Sequence, residues 1–234
     1  MSFVIPEKNM YNAIVFEPIT DKREIEKHKF WHNKLEKTFI ETGTHEGHGV
    51  INAMRYGCVD IHSVEINKVF FLRACRKLDG IVDYNRNTQE GVEVEIFSRD
   101  DFYSVVYRTI DFVQRITLYK GDTKDLLPVI LNRVEEKSSI WLDAHWGPDA
   151  SNGLSKNDSS YKLFPVLQEL DSIQEHSIKD HTIMIDDINQ YKNTHLGDIA
   201  MLENKIRSIN DLYQIKYIEK PMDSSDTILI AEAS

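Results

Sequence analysis

The stretch FIETGTHEGHGVINAM, residues 39–54, decides the fold that we expect for this chain. It begins in a short apolar run, passes through a glycine-rich loop and ends in apolar residues at helical spacing. A strand, a glycine loop and a helix in this order are typical of the first unit of an open α/β sheet. Taken alone, the stretch is equally compatible with a tight turn that uses glycine for its geometry.

The rest of the chain repeats this alternation of strand and helix patterns. Short β-branched runs predict strands at residues 37–42, 60–66, 115–122, 138–146 and 181–187, each followed by a helical pattern. Two more runs, at 212–219 and 226–233, are joined by KPMDSS, which is too short for a helical crossover and predicts an antiparallel hairpin. We therefore expect a Rossmann-like α/β fold: a seven-stranded, mostly parallel sheet with helices on both faces and a C-terminal antiparallel hairpin.

Two segments lie outside this pattern. Residues 1–36 are expected to form an extension that packs on the core, with a helix that starts at the capping box Asp21 to Glu24. The remainder, residues 37–234, is expected to form the main domain and contains an insertion at about 81–113, after Gly80, which we expect to end the second helix. Within the insertion, GVEVEIF (91–97) predicts a strand and DFYSVVYRTIDF (101–112) predicts a helix.

Composition limits the classes of function. The chain has 234 residues, 41% of them apolar, which suffices for one core. Its 38 acidic and 28 basic residues give a formal charge of -10, which disfavours nucleic acid as a partner. Cys58 and Cys75 indicate neither a disulfide framework nor a zinc site, and no apolar stretch predicts a signal peptide or a membrane span. We expect a cytoplasmic protein, without membrane contact, that is compatible with a homo-oligomer.

The glycine loop favours one kind of ligand over another. Its glycines are spaced G-x-x-x-G-x-G from Gly43, with Gly47 as the second, and a dinucleotide-binding loop has G-x-G-x-x-G. Glu41 ends the preceding strand, and its charge suits a ligand with a cationic amino-acid end better than a pyrophosphate. Thr44 and Glu46 offer polar contacts within the loop.

Two further acids follow later strands at the same edge of the sheet. Glu65 ends the second strand roughly 20 residues after Gly43, the separation at which an acid accepts hydrogen bonds from the ribose hydroxyls of a nucleoside. Asp122 follows the third strand, where it could contact an adenine edge or cap the next helix, and the two roles can coexist.

This order of motifs resembles the class I S-adenosylmethionine-dependent methyltransferases: the loop ETGTHEGHG, the acid in SVEI, GD after strand three and a terminal hairpin. The resemblance covers about Lys37 to Ala233. It implies that the cofactor is S-adenosylmethionine. It also implies site roles: the loop residues Glu41, Gly43, Thr44 and Gly47 would hold the methionine part, and Glu65 would hold the ribose.

Acids also end the fourth and fifth predicted strands, in WLDAHW and MIDDINQY. Neighbouring strands lie roughly 4.8 Å apart, so Asp143, Asp186 and Asp187 would converge and repel each other unless a cation lay among them. Oxygen ligands suit Mg²⁺, Mn²⁺ or Ca²⁺, and we expect Mg²⁺. Alternatively, Asp186 and Asp187 only end a strand and cap the next turn.

The acidic motifs resemble those of the metal-dependent macrocin O-methyltransferase (TylF)-like sugar O-methyltransferases. This likeness implies that Asp143, Asp186 and Asp187 bind the metal. His145 stands where that family has a second Asp, and either His145 or Asp143 would be the catalytic base; His145 could instead be a hydrogen-bonded core histidine. The polar segment 147–160 that follows is either a substrate loop or a surface loop.

These features together predict an enzyme of one class. We expect an S-adenosylmethionine-dependent methyltransferase (EC 2.1.1) that O-methylates a small polar hydroxyl substrate such as a sugar, with the assistance of a divalent metal. Two alternatives remain: an NAD-dependent oxidoreductase, and a non-catalytic protein that binds S-adenosylmethionine.

Overall fold

The computed structural model describes residues 34–88, 91–109, 113–144, 165–191, 199–220 and 223–233. The predicted N-terminal helix, His145 and the segment 147–160 lie outside the described residues. The division into an extension and a main domain therefore stays a prediction.

The described strands form a single mixed sheet. In chain order they are β1 (Thr38–Thr42), β2 (Asp60–Glu65), β3 (Glu93–Arg99), β4 (Phe102–Arg108), β5 (Val113–Lys120), β6 (Ser138–Leu142), β7 (Thr182–Ile185), β8 (Tyr213–Lys220) and β9 (Asp223–Ala233). Their spatial order is β3-β4-β5-β2-β1-β6-β7-β9-β8. The five neighbouring strands β5, β2, β1, β6 and β7 are parallel to each other. The C-terminal hairpin of β8 and β9 adds antiparallel strands beside β7. The Rossmann-like α/β prediction is confirmed.

The predicted count of seven strands is wrong, because the described residues already form nine strands in the sheet. The two additional strands, β3 and β4, come from the insertion and pair antiparallel at the β5 edge. The predicted helix at 101–112 is also wrong, since residues 102–108 form β4. Alternate residues of β4 explain this outcome: Tyr103, Val105 and Tyr107 are buried in one hydrophobic cluster, which is the periodicity of a strand.

The described helices are α1 (His48–Arg55), α2 (Lys68–Thr88), α3 (Thr123–Leu131), α4 (Val166–Glu175), α5 (Ile188–Tyr191) and α6 (Ile199–Ile209). Gly80 does not end α2, which continues for two further turns. The buried residues Leu78 and Val82 lie four positions apart on either side of it, so the helix keeps packing on the sheet past the glycine. Among the described helices, none combines the length and apolar character that a membrane span requires.

Helices cover both faces of the sheet. Successive residues of β1 point to opposite faces: Phe39 packs in the cluster with α1 and α2, and Ile40 packs in the cluster with α3, α4 and α6. Both faces of the central strands are therefore buried, as expected for parallel strands between two helical layers. The carboxyl ends of these strands, with the loops that follow them, bring polar groups from several strands together at one edge.

Candidate functional site

The glycine loop turns sharply over the ends of two neighbouring strands. The backbone N–H groups of Gly43 and Thr44 both donate to the carbonyl oxygen of Val64 in β2, at 2.9 and 3.1 Å. Gly43 has φ +84, and a Cβ there would lie 2.5 Å from the carbonyl oxygen of Asp143. Glycine is therefore required at position 43 for two reasons, its backbone conformation and its contact with the chain after β6.

Glu41 lies beneath this loop and not at the surface of the cleft. Its side chain is only 3% exposed, and its Oε2 accepts a hydrogen bond of 2.6 Å from the hydroxyl of Ser63. The Ser63 oxygen is in turn 2.5 Å from the hydroxyl oxygen of Thr44. Burial, more than any other cause, raises the pKa of Glu41 to about 8, and the charges of Asp143 and Glu65 add to the rise. Glu41 thus ties β1 to β2 and to the loop.

Glu65 connects the loop to the start of α2. Its Oε2 accepts from the backbone N–H of His45 and its Oε1 from that of Asn67, both at 2.7 Å. Burial raises the pKa of Glu65, and the two backbone N–H groups oppose the rise. The carboxyl group is thereby held in one orientation at the end of β2, and its remaining lone pairs can still accept hydrogen bonds from ligand hydroxyls.

The end of the loop contacts α2. Gly47 precedes α1 with φ +80, and a Cβ there would lie 3.2 Å from the Cβ of Ala74. Glu46 forms ion pairs with Arg73 at 3.1 Å and with Lys77 at 3.2 Å, and the hydrogen bond from Lys77 is the main cause that lowers its pKa. The structure thus directs Glu46 towards α2.

Asp122 caps α3. It has extended backbone angles, and its side chain accepts from the backbone N–H of Lys124 at 3.1 Å. The preceding residue, Gly121, donates its N–H to the carbonyl oxygen of Glu65 at 3.0 Å, so this turn lies beside the end of β2. The capping role is therefore observed, and contact with a nucleobase stays a prediction.

The ends of β6 and β7 bring two of the predicted acids together. Leu142 pairs with Ile185, so Asp143 and Asp186 follow at equivalent positions, and the Asp186 N–H donates to the Leu142 carbonyl at 3.0 Å. Asp187 has φ +54 and donates its N–H to Oδ1 of Asp186 at 2.8 Å. Within the described ranges, no group of three or more His, Cys, Asp or Glu side chains is arranged to hold a metal ion.

Known proteins resemble this chain in structure. No protein-family model and no curated protein sequence matches it. A protein of Streptococcus mutans assigned as a methyltransferase, solved with S-adenosylhomocysteine, matches with TM-score 0.52 at 10% identity, covering 92% of this chain and 100% of that one. The O-methyltransferase TomG from Streptomyces achromogenes, involved in tomaymycin synthesis and solved with S-adenosylmethionine, matches with TM-score 0.51 at 13% identity, covering 88% and 77%.

A Bacillus cereus O-methyltransferase in complex with S-adenosylhomocysteine also matches, with TM-score 0.51, 11% identity and coverage of 92% of this chain and 82% of that one. The chain has a methyltransferase fold. At identities of 10 to 13%, structural similarity shows a shared fold but not a shared reaction. The cofactor and the reaction are therefore inferred from the site itself.

Sequence reasoning missed three residues that organise this edge of the sheet. Ser63 bonds Glu41, Thr42 accepts from the Asp143 N–H through both its carbonyl and its hydroxyl oxygen, and Glu169 is a fully buried acid of α4. Only Glu169 left a signal in the sequence. It falls on the apolar stripe of its helix, three residues after Val166 and next to Leu170, where an acid is unexpected.

Proposed function

We propose that this protein is an S-adenosylmethionine-dependent methyltransferase that O-methylates a small polar hydroxyl substrate such as a sugar. One observation carries the proposal. The carboxyl group of Glu65 is fixed at the end of β2 beside the tight turn at Gly43, within a fold shared with proteins solved with S-adenosylmethionine or S-adenosylhomocysteine. An acid in this position is suited to the two hydroxyls of a ribose.

The electrostatics of the site favour this cofactor over a dinucleotide. The charges of Glu65 and Asp143 act at the glycine loop, because both raise the pKa of Glu41 beneath it, in addition to the larger effect of burial. With a pKa of about 8, Glu41 is mostly protonated at pH 7, so Glu65 and Asp143 are the sources of negative potential. A negative potential attracts the ammonium and sulfonium groups of S-adenosylmethionine and repels a pyrophosphate. The same potential and the formal charge of -10 support a small-molecule acceptor and disfavour a nucleic acid.

The reaction needs a proton acceptor near the hydroxyl of the substrate. The acceptor oxygen forms a bond to the methyl carbon, the carbon–sulfur bond breaks to give S-adenosylhomocysteine, and the hydroxyl proton passes to a base. Asp143 is our candidate among the described residues, because it follows β6 directly and its carbonyl oxygen contacts Gly43. His145, two residues further on, remains the other candidate.

Metal assistance is a separate part of the proposal. The adjacent strand ends of Asp143 and Asp186 support it, and the described acids do not by themselves form a group of three ligands. Titration calorimetry with MgCl₂ and MnCl₂ tests this part: we expect binding that Asp186→Asn weakens. If wild-type protein binds neither ion, metal assistance is refuted, and the proposal of a methyltransferase is unaffected.

Binding of S-adenosylhomocysteine tests the main proposal. Calorimetry on the full chain should give a dissociation constant in the micromolar range, and NAD⁺ at the same concentration should give no heat. The reverse order of affinities would identify an oxidoreductase. Binding without transfer of labelled methyl groups from S-adenosylmethionine to a panel of sugars, nucleotide sugars and catechols would favour the non-catalytic alternative.

A further inference from the structure

Glu169 is a buried acid for which neither the proposed cofactor contacts nor the proposed base provides a role. It lies in the first turn of α4, is 0% exposed, and is surrounded along the helix by the buried residues Val166, Leu170 and Ile173. Neither of its carboxyl oxygens has a hydrogen bond of ordinary geometry. Burying an acid in such a place is unfavourable unless nearby groups compensate, so packing alone does not explain a carboxyl group here.

The polar groups that influence the pKa of Glu169 belong to the candidate site. Burial is the main cause that raises its pKa, to about 7. The hydroxyls of Thr123, which begins α3, and Thr42, which ends β1, lower it, and the charges of Asp122 and Asp143 raise it. Glu169 therefore lies near the end of β1 and the start of α3, and its helix α4 packs on α3.

Thr42 links this buried acid to the residues that would contact the cofactor. It directly precedes Gly43, and its carbonyl and hydroxyl oxygens accept from the Asp143 N–H at 3.1 and 3.2 Å. Gly43 in turn packs against the Asp143 carbonyl oxygen. A change at Glu169 that moves Thr42 would therefore also move Gly43 and Asp143, which lie on the two sides of the cleft.

We propose that Glu169 is a positioning residue: its buried carboxyl group orients Thr42 and so sets the placement of Gly43 and Asp143 around the cofactor. The proposal rests on the proposed function, because it assumes that Gly43 and Asp143 face S-adenosylmethionine. It assigns Glu169 no contact with either substrate, since the side chain is fully buried.

Glu169→Met separates positioning from a structural role. Methionine fills a similar volume without a buried charge, so we expect a melting temperature equal to or above that of wild type. The affinity for S-adenosylhomocysteine should nevertheless fall by about tenfold, as expected when one polar orienting interaction is lost. Glu169→Gln should give an intermediate loss of affinity, because its amide can still contact the two threonine hydroxyls. Glu175→Gln, at the exposed end of the same helix, is the matched control and should leave both quantities unchanged.

Trp141 provides a second measurement that needs no ligand. Its indole N–H donates to Oδ2 of Asp143 at 3.4 Å, so its resonance in a ¹⁵N–¹H correlation spectrum reports the placement of Asp143. We expect Glu169→Met to shift this resonance, which Trp141→Phe identifies, and Glu175→Gln to leave it in place. If wild type fails to bind S-adenosylhomocysteine, the proposed function fails, and this resonance still decides the role of Glu169.

Two results would overturn the positioning role. One is a Glu169→Met protein with wild-type affinity and an unshifted Trp141 resonance. The other is a Glu169→Met protein whose affinity and melting temperature both fall, because a residue with a purely structural role would give that result. Should Glu169→Met fail to fold, Thr42→Val replaces it, with Thr42→Ser as the control that keeps the hydroxyl. Thr42→Val must then shift the Trp141 resonance, and Thr42→Ser must not, or the proposal is wrong.

Discussion

The hydroxyl of Ser63 donates a 2.6 Å hydrogen bond to Oε2 of Glu41, and both side chains are buried beneath the glycine loop. This contact joins the two strands whose ends form the candidate site. Because burial raises the pKa of Glu41 to about 8, the carboxyl group takes up its proton in the folded protein at pH values where the unfolded chain is ionised.

The first prediction concerns the stability of the protein between pH 6.5 and 8. The folded state holds a proton on Glu41 that the unfolded state has lost, so the free energy of unfolding should fall as the pH rises, by about 1 kcal/mol per pH unit. Glu169, with a pKa of about 7, adds to the fall in the lower part of the range. Urea unfolding at several pH values should give a flatter profile for Glu41→Gln. An unchanged slope in that variant would contradict the raised pKa.

The second prediction compares two glycines in helices. A Cβ at Gly49 would lie 1.8 Å from Oε1 of Glu41, and a Cβ at Gly80 would have no heavy atom within 4 Å. Gly49→Ala should therefore displace the Glu41 side chain and lower the free energy of unfolding by about 1–3 kcal/mol. Gly80→Ala should raise it by about 0.5–1 kcal/mol, through helix propensity alone. Urea unfolding measures both, and equal effects would argue against close packing of α1 on Glu41.

Local sequence patterns predicted much of the fold. Alternating and helical periodicities placed all the described strands other than β3 and β4 within a few residues of their observed bounds, because each pattern reflects burial against one sheet. They failed at β4, where residues 102–108 are strongly apolar and the deciding contacts are antiparallel pairings with β3 and β5. Those partners lie outside residues 102–108, in the strands directly before and after it, so the segment taken alone carries a weak signal.

The candidate site was predictable where motif spacing carries the chemistry. Glu41, Gly43 and Glu65 lie together at the strand ends, as the order of motifs implied. The contacts of Ser63 and Glu169 were not predictable, because they depend on which side chains of separate elements meet inside the fold. An acid in an apolar helical stripe marks Glu169 as unusual, and only the packing of α4 reveals its neighbours.

The third prediction concerns acid sensitivity at the opposite end of the sheet. The N–H of Ser138 donates to Nδ1 of His181 at 3.1 Å, so neutral His181 carries its proton on Nε2, 2.9 Å from Nδ1 of His176. Burial is the main cause that lowers the pKa of His181 to about 4, and it also lowers the pKa of His176. His181 is thus neutral in the folded protein at pH values where the same residue is protonated in the unfolded chain.

Stability should therefore be lost as the pH falls from about 6.5 towards 4. Protonation of Glu41 acts in the opposite direction over part of this range. The informative quantity is therefore the difference in the free energy of unfolding between wild type and a variant at each pH. In His181→Asn, the side-chain oxygen can accept from Ser138 without a titrating group, and the difference should shrink as the pH falls. His48→Asn, at a 67% exposed side chain, is the control. A constant difference would exclude the histidine pair as the cause.

The fourth prediction compares two acids close to the loop residue His45: Glu65, which accepts from its backbone N–H, and Glu46, which follows it in the chain. Glu65 receives backbone hydrogen bonds of 2.7 Å at both oxygens, and Glu46 pairs with Arg73 and Lys77 on α2. In Glu65→Gln, the amide nitrogen would face one of these N–H groups, and the ribose would lose a charged acceptor. We expect the affinity for S-adenosylhomocysteine to fall by about tenfold to a hundredfold.

Glu46→Gln provides the matched comparison, because it removes a carboxylate from the same loop without touching the end of β2. Its ion pairs are partly exposed, so their loss should change the affinity for S-adenosylhomocysteine by less than about threefold. Titration calorimetry on both variants, with melting temperatures to confirm folding, gives the result. Equal losses of affinity would mean that the charge of the loop, and not the fixed carboxyl group of Glu65, governs binding of the nucleoside.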